Sequence, residues 1–253
     1  MSLLWIALWS SMAMAGPVRL TSSDGTALGA SEYGSGAKGV VLVHGDGKSA
    51  ADWHALGGRL AGNGFHVLAV DLRGTGGSPL PAPAVDADWG NMPNDVLSAV
   101  TWLRSHGATE VSLIGADTGG SVALAAGAAD PAIASITVLS PAVTAHGLKI
   151  TESLAAYGKR PLLLVAGSGD TLASKTAGLL EPRALGPKDL RISAGSSSGV
   201  SLFVADPDLE AVVVGWMNGS WKADAEGKSA TAGIKGPELG TVDAKGSKLG
   251  ESP

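Results

Sequence analysis

Asp46, Asp117 and Asp170 each follow an aliphatic run that is typical of a buried strand. The runs are residues 40–43, 111–114 and 162–165. If they form parallel strands of one sheet, their carboxyl ends meet at one edge, and we expect the three carboxylates to converge there. Carboxylates that close together cannot all ionise cheaply, so one pKa rises or a cation such as Ca²⁺ or Mg²⁺ enters. The alternative is that they face water without an ion, and we predict no metal site and no cofactor.

The elements that must position these aspartates alternate along the chain. A hairpin is predicted over residues 17–33, followed by helices whose apolar residues recur at i, i+3, i+4 and i+7, as in 95–105. A loop is expected from Pro79 to Trp89. This alternation predicts an α/β fold with a mostly parallel sheet of about eight strands and helices on both faces.

Three motifs, in order, give the sequence a family resemblance. They are Leu42-Val43-His44-Gly45-Asp46-Gly47, Asp71-Leu72-Arg73-Gly74-Thr75-Gly76-Gly77-Ser78 and Ile114-Gly115-Ala116-Asp117-Thr118-Gly119-Gly120. Over residues 18–218 the chain resembles the α/β-hydrolase superfamily, in particular its small esterase or dienelactone-hydrolase type without a large cap domain.

The resemblance implies a role for each motif. The third motif is the nucleophile elbow, whose turn is encoded by Gly115, Gly119 and Gly120, and Asp117 occupies the nucleophile's place. Backbone N–H groups of Thr118 and of the Gly45-Asp46 turn would form the oxyanion hole. Asp170 fits the triad acid, and it is equally suited to capping the helix that follows it.

The triad histidine that the resemblance calls for is replaced. In its place after the last strand the chain reads Ala194-Gly195-Ser196-Ser197-Ser198-Gly199-Val200, and we assign Ser198 to the histidine's position. All five histidines, residues 44, 54, 66, 106 and 146, precede Asp170. His44 belongs to the oxyanion turn, whereas His146 follows strand 136–139 on the catalytic edge and would reach the site only if its loop folds inward.

Three functional hypotheses follow from the replaced serine and histidine. The first is a non-catalytic descendant of an esterase that binds a small ligand or a partner in the old pocket. The second is an active hydrolase with Asp117 as nucleophile and a relocated base such as His146. The third is a cation-binding structural module of the cell envelope. A triad enzyme that lacks its serine or its histidine loses roughly a millionfold in kcat, which favours the first hypothesis.

Composition and the chain ends set the remaining expectations. A formal net charge of −5 disfavours nucleic acid as a partner, and the lack of cysteine excludes disulfides and thiol catalysis. The apolar stretch 3–9 and Ala13-Met14-Ala15 predict a signal peptide over residues 1–15, export, and no membrane span in the mature chain. The hydrolase-like domain is then 16–221. The tail 222–253 has six glycines and four large aliphatic residues, which predicts disorder.

Overall fold

The computed structural model describes residues 16–80 and 85–222. They contain an eight-stranded sheet with the order β1-β2-β4-β3-β5-β6-β9-β10 and a separate two-stranded ribbon, β7-β8. From β4 to β10 neighbouring strands are parallel, whereas β1 and β2 pair antiparallel at one edge. The predicted fold class, a mostly parallel sheet of eight strands with no large cap domain, is confirmed.

The ten strands are β1 Gly16–Thr21, β2 Ala27–Tyr33, β3 Lys38–Val43, β4 Phe65–Val70, β5 Glu110–Ala116, β6 Ile133–Leu139, β7 Thr144–Ala145, β8 Leu148–Lys149, β9 Leu162–Gly167 and β10 Lys188–Ser193. The helices are α1 His54–Gly62, α2 Asp86–Ser105, α3 Thr118–Ala129, α4 Ile150–Tyr157, α5 Thr171–Leu180, α6 Leu202–Ala205 and α7 Leu209–Met217. Short 3-10 turns cover Ala50–Trp53, Glu181–Arg183 and Gly199–Ser201.

The central strands are continuous apolar runs because both of their faces are covered. All six residues of β4 and of β9 are buried. One face of the sheet packs against α2, α3, α4 and α5. The other packs against α1, α6 and α7, with Trp53 and Trp216 in its core. The helices on both faces leave the carboxyl ends of β3, β5 and β9 together at one edge of the sheet.

Helix α2 begins earlier than the sequence pattern predicted. It starts at Asp86, so the expectation of a loop as far as Trp89 was wrong. Pro93 lies inside the helix, where it lacks one backbone donor, whereas the helix predicted over 95–105 began only after it. The longer helix brings Trp89 and Met92 into the core, and burial of those side chains offsets the missing hydrogen bond.

The predicted signal peptide and all of the predicted tail except Lys222 lie outside the described residues. Within the described ranges, no helix has the length and apolar character needed to cross a membrane.

Candidate functional site

Asp117 lies at a strained turn between β5 and α3. Its backbone has φ 51° and ψ −122°, a combination that non-glycine residues rarely adopt and that costs roughly 1–3 kcal/mol. The Asp117 N–H donates to the carbonyl of Leu139 at 2.9 Å, and its carbonyl accepts from Gly120 at 3.0 Å. The turn therefore has the sharp strand-to-helix geometry of a nucleophile elbow, with an aspartate at its tip.

The elbow glycines are required by close backbone contacts. A Cβ atom on Gly115 would lie 2.4 Å from the carbonyl oxygen of Gly119, and one on Gly119 would lie 2.3 Å from that of His44. On Gly120 it would lie 2.4 Å from a methyl carbon of Val138. These three positions thus allow α3 to pack directly on β3, β5 and β6.

The carboxyl group of Asp117 lies between two further glycines. A Cβ atom on Gly45 would come within 3.1 Å of its Oδ2, and one on Gly199 within 2.8 Å. Burial raises the pKa of Asp117 to about 6, and the charge of Asp170 adds to this effect while that of Lys48 opposes it. Around pH 6 both the acid and the base form of this carboxyl group are therefore populated.

Asp170 has one of the two roles that were left open, the helix cap. Its side chain accepts a hydrogen bond from the N–H of Ala173 at 3.1 Å, which caps α5. Its negative charge also acts on Asp117, so it lies at the same edge of the sheet. Asp170 therefore lies close enough to influence Asp117 while its side chain caps a helix, and its assignment as triad acid stays a prediction.

His44 supports the turn that follows β3. The N–H of Leu72 donates to its Nε2 at 3.1 Å, and its Nδ1 lies 2.8 Å from the carbonyl oxygen of Gly45. These partners place the imidazole proton on Nδ1, and burial lowers the pKa of His44. His44 is thus a neutral structural residue whose acceptor is already engaged.

The predicted oxyanion turn has an internal acceptor. The backbone N–H of Asp46, one of the two expected oxyanion donors, donates to Oγ1 of Thr118 at 2.7 Å. Thr118 is the first residue of α3, where backbone N–H groups lack partners within the helix. One donor of the oxyanion hole is therefore used by the side chain of the residue that supplies the other.

The side chain of Asp46 points to His146 instead of the other carboxylates. His146 Nε2 lies 3.2 Å from Oδ2 of Asp46, and its ring stacks on Trp89 with centroids 3.9 Å apart and an interplanar angle of 6°. His146 is at the tip of the β7-β8 ribbon with φ 50°. The loop thus does fold inward, and it brings His146 to the oxyanion turn.

The expectation that all three carboxylates converge was wrong. Asp117 and Asp170 influence each other, whereas Asp46 pairs with the imidazole. In the part of the chain that the structure describes, no group of three or more histidine, cysteine, aspartate or glutamate side chains could hold a metal ion. This geometry gives the cation-binding hypothesis no ligand set.

Ser198 is exposed, and none of the hydrogen bonds of the described residues joins its hydroxyl to Asp117 or Asp170. The next residue, Gly199, is the one that approaches Asp117, with φ 53°, and its N–H donates to Oγ of Ser140 at 2.9 Å. Ser140 is buried and itself has φ 51°. Sequence reasoning missed Gly199, Ser140 and Trp89, because only the fold brings them to this edge.

The five histidines, all within the described residues, have partners other than the elbow carboxylates. His44 bonds to Gly45 and Leu72, and His146 bonds to Asp46. The other three, His54, His66 and His106, contact Tyr33, Glu32 and Trp102, respectively. No hydrogen bond links any of the five to Asp117 or Asp170 in residues 16–80 and 85–222.

Comparison with known proteins agrees with this geometry. Residues 35–160 match the hydrolase family described as serine aminopeptidase, S33. A search of curated proteins gave no significant match. Among solved structures, the Pyrococcus furiosus esterase Pf2001 is 18% identical with a TM-score of 0.69, and the match covers 81% of this chain and 92% of that one.

Two further structures have a similar fold. Dienelactone hydrolase from Anabaena variabilis is 18% identical with a TM-score of 0.64, and the match covers 84% of this chain and 98% of that one. A predicted CIB-like hydrolase from Thermoplasma acidophilum is 19% identical with a TM-score of 0.66, with coverage of 81% and 99%. Together with the family match and the elbow at Asp117, they lead to one assignment: the chain belongs to the α/β-hydrolase superfamily.

Proposed function

We propose that this protein is a non-catalytic member of its superfamily that binds a small ligand at the elbow. The observation that carries the proposal is that Asp117 occupies the strained nucleophile position without an imidazole as hydrogen-bond partner in the described residues. Hydrolysis through a covalent ester at Asp117 requires a base that activates water for the second step, and the elbow lacks one.

The oxyanion turn supports the same proposal. A developing oxyanion needs two backbone donors that point at it, and one of them already donates to Thr118. The carboxylate of Asp117 would also repel negative charge at this place. Both features weaken stabilisation of a tetrahedral intermediate without closing the site to a neutral or positively charged molecule.

The chemistry of the ligand follows from the same groups. A carboxylate accepts hydrogen bonds, so the ligand should offer a donor such as an amine or a hydroxyl group. Seven large apolar side chains are exposed in the described residues. Four of them, Val85, Val143, Leu172 and Val204, lie in the segments after β4, β6, β9 and β10. The carboxyl ends of those strands are on the same side of the sheet as the elbow. The ligand we propose therefore joins a donor group to a short alkyl body.

An ester assay tests the absence of catalysis. The wild-type protein should hydrolyse p-nitrophenyl acetate and butyrate no faster than a heat-denatured sample, because the elbow has neither serine nor base. Turnover at ordinary enzymatic rates of about 1 per second or more would refute this part of the proposal.

Thermal shift with two matched probes tests binding. n-Butylamine should raise the melting temperature by mass action, and butyrate, with the same alkyl body and the opposite charge, should not. Asp117→Asn should remove the response to the amine, whereas Glu110→Gln, an exposed carboxylate at the start of β5, should keep it. Equal shifts for both probes, or an unchanged response in Asp117→Asn, would contradict a site at the elbow.

A second candidate function rests on the Asp46–His146 pair. A histidine held by a carboxylate and stacked on Trp89 has the arrangement of a catalytic base with its orienting acid. In that case Asp117 would be the nucleophile, and His146 would activate the water that cleaves the ester. Ester turnover in the wild type that His146→Ala and Asp46→Asn both abolish would favour this candidate over a binding role.

Export is also part of the proposal and rests on the sequence alone. Cleavage after Ala15 would leave Gly16, the first residue of β1, as the amino terminus. N-terminal sequencing of protein from its native host tests this, since an intact Met1 would exclude cleavage.

A further inference from the structure

The remaining exposed apolar side chains border the free edge of the sheet at β10. Leu179, Leu185 and Ile192 are 38%, 63% and 45% exposed. Helix α5 connects the carboxyl end of β9 to the amino end of β10, which is parallel to β9. Leu179, at the end of α5, and Leu185, just before β10, therefore both lie near the amino end of β10. Ile192 lies near the carboxyl end of the same strand. The two ends of one edge strand therefore carry separate apolar side chains.

The free edge presents the backbone groups of Lys188, Leu190 and Ile192. The N–H of Leu162 donates to Pro187, and that of Ser168 donates to Ser193, which places the odd-numbered residues of β10 toward β9. The N–H of Leu190 points outward, where it donates to its neighbour's side chain, Oδ1 of Asp189, at 2.8 Å. All three outward residues thus direct their backbone groups toward the position of a further strand. To pair there, the N–H of Leu190 must exchange the Asp189 carboxylate for a carbonyl group of that strand.

The side chains of β10 show which strand fits. Arg191 donates to Asp206 of its own chain through Nε and Nη2, both at 2.7 Å, which leaves Nη1 for a further carboxylate. Antiparallel pairing of two copies about a two-fold axis at Leu190 would place Asp189 of each copy opposite Arg191 of the other. It would also place Lys188 opposite Ile192. A two-fold axis at Lys188, Asp189 or Arg191 would place that residue opposite its own copy and so put like charges opposite each other. A centre at Ile192 would run the pairing beyond the strand into 194–196.

The same register brings the apolar ends together. In an antiparallel pair the amino end of one β10 lies beside the carboxyl end of the other. Leu179 and Leu185 of one copy would then approach Ile192 of the second, and the contact would form twice by symmetry. From this charge pattern and these exposed side chains, we infer that the protein forms a two-fold dimer by antiparallel pairing of β10 with β10 of a second copy.

The opposite edge of the sheet lacks these features. Strand β1 contains Pro17, which has no N–H, and its Arg19 donates to the carbonyl of Gly77. None of the exposed large apolar residues of the described chain lies on β1. This edge therefore has the characteristics of a protected edge, and β10 does not.

Sedimentation equilibrium of the purified protein over a range of concentrations tests the dimer. The wild type should show the mass of two chains and dissociate on dilution. Asp189→Lys should weaken association by about tenfold, because it places a cation opposite Arg191 in both halves of the interface. Glu110→Lys, with the same change of charge at the start of β5, should associate like the wild type.

Ile192→Lys is a second variant that removes an apolar contact and should also favour the monomer. Circular dichroism confirms that each variant is folded. A wild type that remains monomeric at its solubility limit would overturn the inference. So would association that Asp189→Lys and Ile192→Lys leave unchanged, since a different surface would then join the copies.

Discussion

The elbow and the loop after β10 both approach Asp117, yet they are built differently. At the elbow, a Cβ atom added to Gly115 or Gly119 would lie less than 3 Å from neighbouring backbone. In the loop, residues 194–196 and Ser198 are exposed, and a Cβ on Gly195 would meet nothing within 4 Å. The elbow is therefore fixed by the packing of the core, whereas the exposed positions of the loop have no such close contacts.

Under the proposed loss of catalysis, this difference explains how the chain keeps the shape of the fold. The elbow turn depends on contacts of α3 with β3, β5 and β6, which a change at its tip does not touch. The position for the base lies on a loop with few packing constraints, so its residue is determined by function and not by stability. Substitution should therefore destabilise the elbow more than the loop.

The largest expected effect is at the elbow. Gly119→Ala places a Cβ atom 2.3 Å from the carbonyl of His44 and should lower the free energy of unfolding by about 3 kcal/mol. Gly195→Ala is the matched change in the loop, where φ is 91° but space is open, and should cost about 1 kcal/mol. Urea denaturation measures both. Equal losses would show that the two regions are equally constrained.

An intermediate effect is expected from the charge at the elbow tip. The pKa of Asp117 rises from its ordinary value of 3.8 to about 6 in the folded protein, so the unfolded chain loses this proton first as the pH rises. Stability should therefore fall between about pH 4 and pH 6 and stay low above that range. The full difference corresponds to roughly 3 kcal/mol, which solvent near this half-buried group reduces to about 1–2 kcal/mol.

Asp117→Asn should remove this loss. At pH 7.5 its melting temperature should exceed that of the wild type by several degrees, and at pH 4 the two should agree. Differential scanning calorimetry at both pH values makes the comparison. If the difference in melting temperature between the variant and the wild type is the same at pH 7.5 as at pH 4, Asp117 is solvated like an ordinary surface carboxylate.

The structure of some regions could be predicted from the sequence, and that of others could not. The alternation of buried runs and helices predicted the mostly parallel sheet because it is a local pattern, and the family resemblance of the motif around Asp117 implied the sharp turn there. The beginning of α2 was missed because Pro93 is tolerated only once Trp89 and Met92 are buried by tertiary packing. That compensation cannot be seen in a local window of sequence.

The candidate site was only partly predictable for a similar reason. Strand order places Asp46, Asp117 and Asp170 at one edge, but it does not fix the directions of their side chains. The pairing of Asp46 with His146 depends on a two-residue turn of the β7-β8 ribbon and on the position of Trp89. Neither contact has a signal in the sequence, because each joins segments far apart along the chain.

The smallest effect, and the most direct test of the comparison, is a gain of function. Asp117→Ser together with Ser198→His should raise hydrolysis of p-nitrophenyl acetate about tenfold above background, a modest gain because Thr118 still occupies one oxyanion donor. Either change alone should do nothing, since nucleophile and base act as a unit. The exposed Ser198 accepts an imidazole without steric conflict, whereas Gly199, with φ 53° and Asp117 beside it, does not. Adding Asp170→Asn to the double variant should abolish the gain, because that carboxylate would orient the new histidine. If the gain persists after Asp170→Asn, the new imidazole works without a triad acid, and Asp170 does not orient a histidine at position 198.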